Sequence, residues 1–182
     1  SSECKSGSER IGSVAQSLVG NQQLNKSLII NVQADQPFID PLIIDKTAQQ
    51  FIDTQPEIIT PVYPLPPINI HDPNYAKVLV SFAGKAIYFS RSAIPHVRDL
   101  PKDRWHEKVT YWGHIGVYGF RGDILANWNN FPFSLLEDSE RLEHLRLIES
   151  GIPISILKVD NQSLSVDTPE QLEQAQKLAI NF

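Results

Sequence analysis

Asp35 and Asp167 stand in the same kind of place in the chain, where an apolar, β-branched run has ended and a helical pattern is about to begin. In open α/β sheets, ligands collect at the carboxyl ends of strands. Two carboxylates there can share a hard cation such as Mg2+, which takes oxygen ligands and leaves its other positions to phosphates and water. A plain structural reading stays open for both: an Asx turn at Asp35, and at Asp167 a helix-start carboxylate favoured by the dipole. Arg91, in Y-F-S-R-S-A-I-P, and His114, in Y-W-G-H-I-G-V-Y-G-F-R, are polar breaks in aromatic stretches. A guanidinium can grip a carboxylate bidentately, and an imidazole can donate to a sugar hydroxyl or a phosphate, although a histidine inside a strand often has only a structural role. Near the start, S-G-S-E-R opens a helical run. Ser6 or Ser8 would cap it, or the small hydroxyl-rich turn with Arg10 would receive an anion. Glu143, His144 and Arg146 read as the solvated face of a helix. The sequence has no Walker motif, no C-x-x-C and no H-E-x-x-H.

The elements that must position these residues follow from the hydrophobic pattern. Residues 28–33, L-I-I-N-V-Q, are apolar without period-2 alternation, as in a strand buried on both faces of a parallel sheet, and Pro37 and Pro41 stop the ladder from continuing. Residues 40–54 predict a helix, 58–63 a strand, 77–81 and 86–90 a hairpin, 96–110 an exposed loop and 111–121 one aromatic strand. Beyond them the pattern predicts a short helix over 123–128, a longer one over 135–150 and a strand over 154–159. Thr168 as N-cap, Pro169 at the first helical position and Gln171 three residues on from the cap start a final helix. Strands and helices in this mixture predict an α/β fold.

A chain of 182 residues, 41% hydrophobic and 20% charged, is sized for one domain over residues 1–182, with the hairpin region around 86–121 as an excursion. The net charge of -5 argues against a nucleic-acid partner, which would call for excess Lys and Arg. No apolar run approaches the roughly 20 residues of a membrane span, so a membrane partner is not expected. Cys4 is the only cysteine, which points to a reducing, cytoplasmic setting. The absence of Met suggests a chain that does not begin where its gene does.

Six motifs in order, S-G-S-E-R, N-V-Q-A-D-Q-P, Y-F-S-R-S-A-I-P, H-I-G-V-Y-G-F-R, L-L-E-D-S-E-R-L-E-H-L-R and V-D-T-P-E-Q-L, resemble the 3-deoxy-manno-octulosonate cytidylyltransferases, also called CMP-Kdo synthetases. The resemblance implies a three-layer nucleotidyltransferase fold with a mixed, mainly parallel sheet. It implies an enzyme that couples CTP and the acid sugar Kdo to CMP-Kdo and pyrophosphate for lipopolysaccharide synthesis, acting as a homodimer. The aromatic stretch 111–120 together with the Y-F-S-R-S-A-I-P segment is the expected source of the shared apolar surface. By the same resemblance Asp35 and Asp167 are catalytic and hold Mg2+; Gln33, Arg91, His114 and Glu143 line the Kdo pocket; and Ser6, Gly7 and Arg10 lie near the cytidine nucleotide. The family's usual Q-G-D-E-P is Gln33-Ala34-Asp35-Gln36-Pro37 here, and His144 stands where relatives often carry Gln. The first strand and the phosphate-binding loop expected ahead of S-G-S-E-R are not in the sequence. On that expectation the chain alone would fold loosely and make no CMP-Kdo. A silent remnant that binds acid sugar or a partner chain is the alternative, and a D-x-D sugar-nucleotide transferase is disfavoured because Ala34-Asp35-Gln36 lacks the second Asp.

Overall fold

The computed structural model describes Cys4 and residues 7–19, 23–160, 165–166 and 168–180. In chain order it contains α1 (Gly7–Val19), β1 (Leu28–Val32), α2 (Pro41–Thr54), β2 (Ile58–Pro64), β3 (Lys77–Val80), β4 (Ala86–Ser90), β5 (Trp112–His114) and β6 (Val117–Arg121). Then come α3 (Gly122–Ala126), α4 (Leu135–Glu140), α5 (Leu145–Glu149), β7 (Ile154–Lys158) and α6 (Pro169–Ala179). Pro41 sits in the first turn of α2, where Asp40 caps the helix through its carboxylate, and Thr168 and Gln171 form a complete capping box on α6, as their spacing predicts.

One edge of β2 pairs with β7 in parallel, and the other pairs antiparallel with β5 and then β6. From there β6 continues to β1, and β5 to β3 and β4, always antiparallel. Among the described residues the sheet is therefore mixed but mainly antiparallel, which corrects the mainly parallel expectation. The correction has a physical origin in β1. Its side chains alternate between two cores: Ile29 packs against the one that holds Phe120, Leu125 and Trp128, and Ile30 against the one that holds Ile43, Val117 and Val159. A strand covered on both faces reads as an unbroken apolar run whatever the direction of its neighbour. β1 also sits less deeply than expected, with Leu28, Ile29 and Ile30 half-buried and Val32 exposed.

Helices α1, α3 and α5 contribute to one core, while α2 and the segment before β5 contribute to the other, which gives three layers. The predicted exposed loop over 96–110 is instead partly core, because Trp105 is only 4% exposed and its indole N–H donates to the Leu100 carbonyl. The predicted single strand over 111–121 is broken at Ile115 and Gly116, and its aromatic residues Tyr111, Tyr118 and Phe120 are buried within the chain itself. They are therefore not the shared apolar surface expected of them. The predicted helix over 135–150 is two helices, separated where Arg141 adopts the left-handed conformation at φ 54°. Among the described residues no helix is long and apolar enough to cross a membrane.

Candidate active site

The break between β5 and β6 opens the site. Continuing the Val62↔His114 pairing would set Ile59 opposite Val117, yet Ile59 faces Gly119, so the strand bulges at Ile115 and Gly116. On the far side of that bulge β1 ends and β3 begins, which splits the sheet. The Gln33 N–H donates to the Gly116 carbonyl at 2.9 Å on one side of the split, and the His114 N–H donates to the Ala76 carbonyl at 3.0 Å on the other. An open cavity lies over this floor, and Gln33, Asp35, Arg91 and His114 all line it. Four of the residues singled out in the sequence thus converge, although they come from three separate segments.

Arg91 is held without being neutralised. Its Nε donates to the Glu140 carbonyl at 2.8 Å and its Nη1 to the Pro73 carbonyl at 3.0 Å. The Glu140 carboxylate is occupied by the Arg91 backbone N–H at 2.9 Å and the Ser90 hydroxyl at 2.6 Å. A guanidinium has five N–H groups, so three remain for a ligand, aimed by two neutral carbonyls.

His114 is neutral, and the hydrogen bonds assign its tautomer. The Thr60 hydroxyl donates to the Val117 carbonyl at 2.7 Å and lies 3.0 Å from His114 Nε2. That hydroxyl has one proton to give, so His114 Nε2–H is the donor and Nδ1 is left as an acceptor. Burial lowers the imidazole to a pKa of about 3. The ring was expected to donate to a sugar hydroxyl; it donates to Thr60 and offers a lone pair instead.

Gln33 packs over the bulge because Gly116 has no side chain: a Cβ there would lie 2.5 Å from Gln33 Oε1. Asp35 occupies the turn after β1, and its carbonyl accepts from the Val166 N–H at 2.8 Å, which ties this turn to the segment leading into α6. Asp167 and Ser6 lie outside the described residues. Ala34 is exposed and not in the left-handed region, so the turn works without glycine's freedom. No group of three or more His, Cys, Asp or Glu among the described residues could hold a metal by itself.

The remaining predicted residues do not line the cavity. Gly7 and Arg10 are exposed on α1, and the Glu143 carboxylate accepts from the Ser8 hydroxyl of that helix at 2.8 Å. Ser8, the candidate cap, lies inside α1 rather than ahead of it. The break at Arg141 explains the positions that follow: Leu142 reaches the cavity, Glu143 turns to α1, and His144 is buried at 2% exposure, hydrogen-bonded to the Tyr118 hydroxyl and edge-on to Phe89. His144 is therefore not on a solvated face, and burial holds its pKa well below the ordinary value. Thr60, Tyr63 and the turn carrying Asn74 and Tyr75 were missed from the sequence. The signal for Thr60 was an aliphatic hydroxyl in the middle of a largely apolar strand.

Residues 1–157 match the family described as Cytidylyltransferase. The chain is 36% identical to a 3-deoxy-manno-octulosonate cytidylyltransferase of Myxococcus xanthus over 175 residues, covering 96% of this chain and 67% of the relative. With the enzyme of the same name from Porphyromonas gingivalis it shares 36% identity over 181 residues, covering 96% and 69%. The chain belongs to the 3-deoxy-manno-octulosonate cytidylyltransferase family. It spans about two thirds of the length of these relatives. A solved CMP:2-keto-3-deoxy-manno-octonic acid synthetase complexed with CTP matches it at a TM-score of 0.84 and 32% identity, covering 98% of this chain and 70% of that one. A putative glucose-1-phosphate thymidylyltransferase from Bacillus anthracis, at 14% identity and a TM-score of 0.61, shares the fold alone. Within the cytidylyltransferase family, then, the split sheet of this member carries its cation and its neutral histidine in one cavity.

Proposed function

We propose that this cytidylyltransferase transfers CMP from CTP to Kdo, and that the cavity at the split of the sheet receives the acid sugar. The observation that carries the reading is Arg91, a cation in the cavity wall that pairs with no carboxylate among the described residues and keeps three N–H groups for a ligand. The sugar carboxylate takes those groups. His114 Nδ1 accepts from a sugar hydroxyl, and Gln33 supplies a further amide within reach. Tyr63 stays protonated, since burial pushes its phenol far above neutral pH, and so adds no negative charge beside the carboxylate. The anomeric hydroxyl oxygen attacks the α-phosphorus of CTP, the bond to pyrophosphate breaks, and the hydroxyl proton is lost. Holding the oxygen in line is the main contribution open to these residues.

Asp35 fits a Mg2+ ligand in donor chemistry and placement, and Asp167 would be the second. A Mg2+ ion of this kind takes one or two carboxylates together with phosphates and water. When bound, Mg2+ would neutralise the triphosphate and favour departure of pyrophosphate. Asp35 is attached to the α6 side through Val166, the residue next to Asp167 in sequence. Ser6, Gly7 and Arg10 are assigned to the nucleotide, and the Ser8 contact draws Glu143 toward that side. A homodimer is part of this reading, through surfaces other than the buried aromatics of 111–120. The test is transfer itself: CTP, Kdo and Mg2+ should give CMP-Kdo and pyrophosphate in equal amounts, and the methyl ester of Kdo should give far less. Equal transfer to the ester or to a sugar phosphate without a carboxylate would overturn the reading.

A further inference from the structure

Lys77 in β3 is fully buried, an unusual place for an ammonium. It makes no ion pair among the described residues. Instead its Nζ donates to two backbone carbonyls, that of Asp72 at 2.9 Å and that of Arg91. A methionine would fill similar space without the cost of desolvating a charge. Both carbonyls belong to segments that build the cavity. Asp72 precedes Pro73, whose carbonyl aims the Arg91 guanidinium, and Asn74 and Tyr75, which line the wall. Arg91 itself is gripped from the opposite side by Glu140.

We propose that Lys77 is a positioning residue for the acid sugar: its ammonium fastens the turn of residues 72–75 to the Arg91 backbone and so aims the Arg91 guanidinium into the cavity. The proposal rests on the reading of that cavity as the Kdo site. The charged groups facing Lys77 are Asp72 before β3, Arg91 after β4 and Glu140 at the end of α4. Desolvation lowers the amine to a pKa of about 8, with Arg91 adding to the fall and Asp72 and Glu140 opposing it. Between about 8 and 10.5 the unfolded chain holds the proton that the folded chain has released, so through this group the fold gains stability as pH rises across that window. The charge-assisted bond to the Arg91 segment weakens over the same window. A structural role alone therefore predicts no loss with rising pH, whereas a positioning role predicts weaker Kdo binding.

The experiment is calorimetric titration with Kdo at pH 7 and pH 9, on wild type and Lys77→Met, with the melting temperature of each. Wild type should bind several-fold more weakly at pH 9. Lys77→Met should bind about tenfold more weakly than wild type at pH 7, with little further change at pH 9. A folded Lys77→Met protein that binds Kdo like wild type overturns the proposal. If that variant does not fold, a wild-type affinity that is flat between the two pH values overturns it. A ligand-free reading separates this proposal from the Kdo assignment: the Arg91 Nε–H resonance should be protected from solvent exchange at pH 7 and lose protection at pH 9 or in Lys77→Met. Unchanged protection refutes the positioning role, whereas protection that behaves as expected without any Kdo binding refutes only the identity of the ligand.

Discussion

Lowering the pH from 6.5 to 4.5 should destabilise this fold through two histidines, and the size of the effect follows from where they sit. His114 and His144 are both held neutral by burial, with pKa values of about 3 for His114 and well below ordinary for His144. In the unfolded chain each would protonate near 6.5. Below that pH the unfolded state binds more protons than the folded one, so stability falls as pH falls, and the contribution of His114 is fully lost only near its folded pKa. Over these two pH units a group wholly excluded from protonation costs on the order of 2 kcal/mol, and partial opening of the site would reduce this. Against a total stability of roughly 5–15 kcal/mol, two such groups are decisive. The assay is urea unfolding at pH 6.5 and 4.5, comparing wild type with His144→Gln, which removes one titrating group and keeps a polar side chain of similar size. Wild type should lose stability between the two pH values, and His144→Gln clearly less. A wild-type stability that is flat over this range, or a variant that loses as much as wild type, would refute the reasoning.

Gly116→Ala should place a Cβ 2.5 Å from Gln33 Oε1, pushing that side chain off the bulge. Kdo binding should weaken while the urea midpoint stays close to wild type; unchanged binding would remove Gln33 from the pocket. Thr60→Val should cost about 1–3 kcal/mol in urea unfolding, because the half-buried His114 Nε2–H loses its acceptor. A neutral effect would mean that the assigned tautomer is wrong. Asp35→Asn should cut CMP-Kdo formation by orders of magnitude and leave the melting temperature near that of wild type. Near-normal transfer would exclude a role in holding Mg2+.

What could be read in the sequence was mostly local. The helix start at Pro41, the cap at Thr168, the hairpin 77–90 and the strand before Asp35 are set by neighbouring residues, and each forms as the pattern predicts. Strand direction was not legible, because β1 is covered on both faces and its apolar run carries no information about the orientation of β6. The two breaks that shape the site were also hidden. Nothing near Arg141 signals a helix end as Gly or Pro would, yet the left-handed turn there sends Leu142, Glu143 and His144 to three different surroundings. The bulge at Ile115 and Gly116 arises from pairing with β2, β1 and β3 together, a long-range demand that residues 111–121 do not record. Arg91 and His114 could be picked out because they are polar breaks in aromatic strands. Lys77 has the same character and was overlooked, since a single lysine at the start of a hairpin reads as a solvated end.

The central claim is that Arg91 receives a sugar carboxylate, and direct binding tests it most simply. Titrating wild type and Arg91→Met with Kdo and with Kdo methyl ester should give saturable one-site binding for wild type with Kdo. Binding should be roughly 10- to 100-fold weaker when either the guanidinium or the carboxylate is removed, and little weaker still when both are. Equal affinity for acid and ester in wild type, or an Arg91→Met protein that binds Kdo normally, would contradict the account.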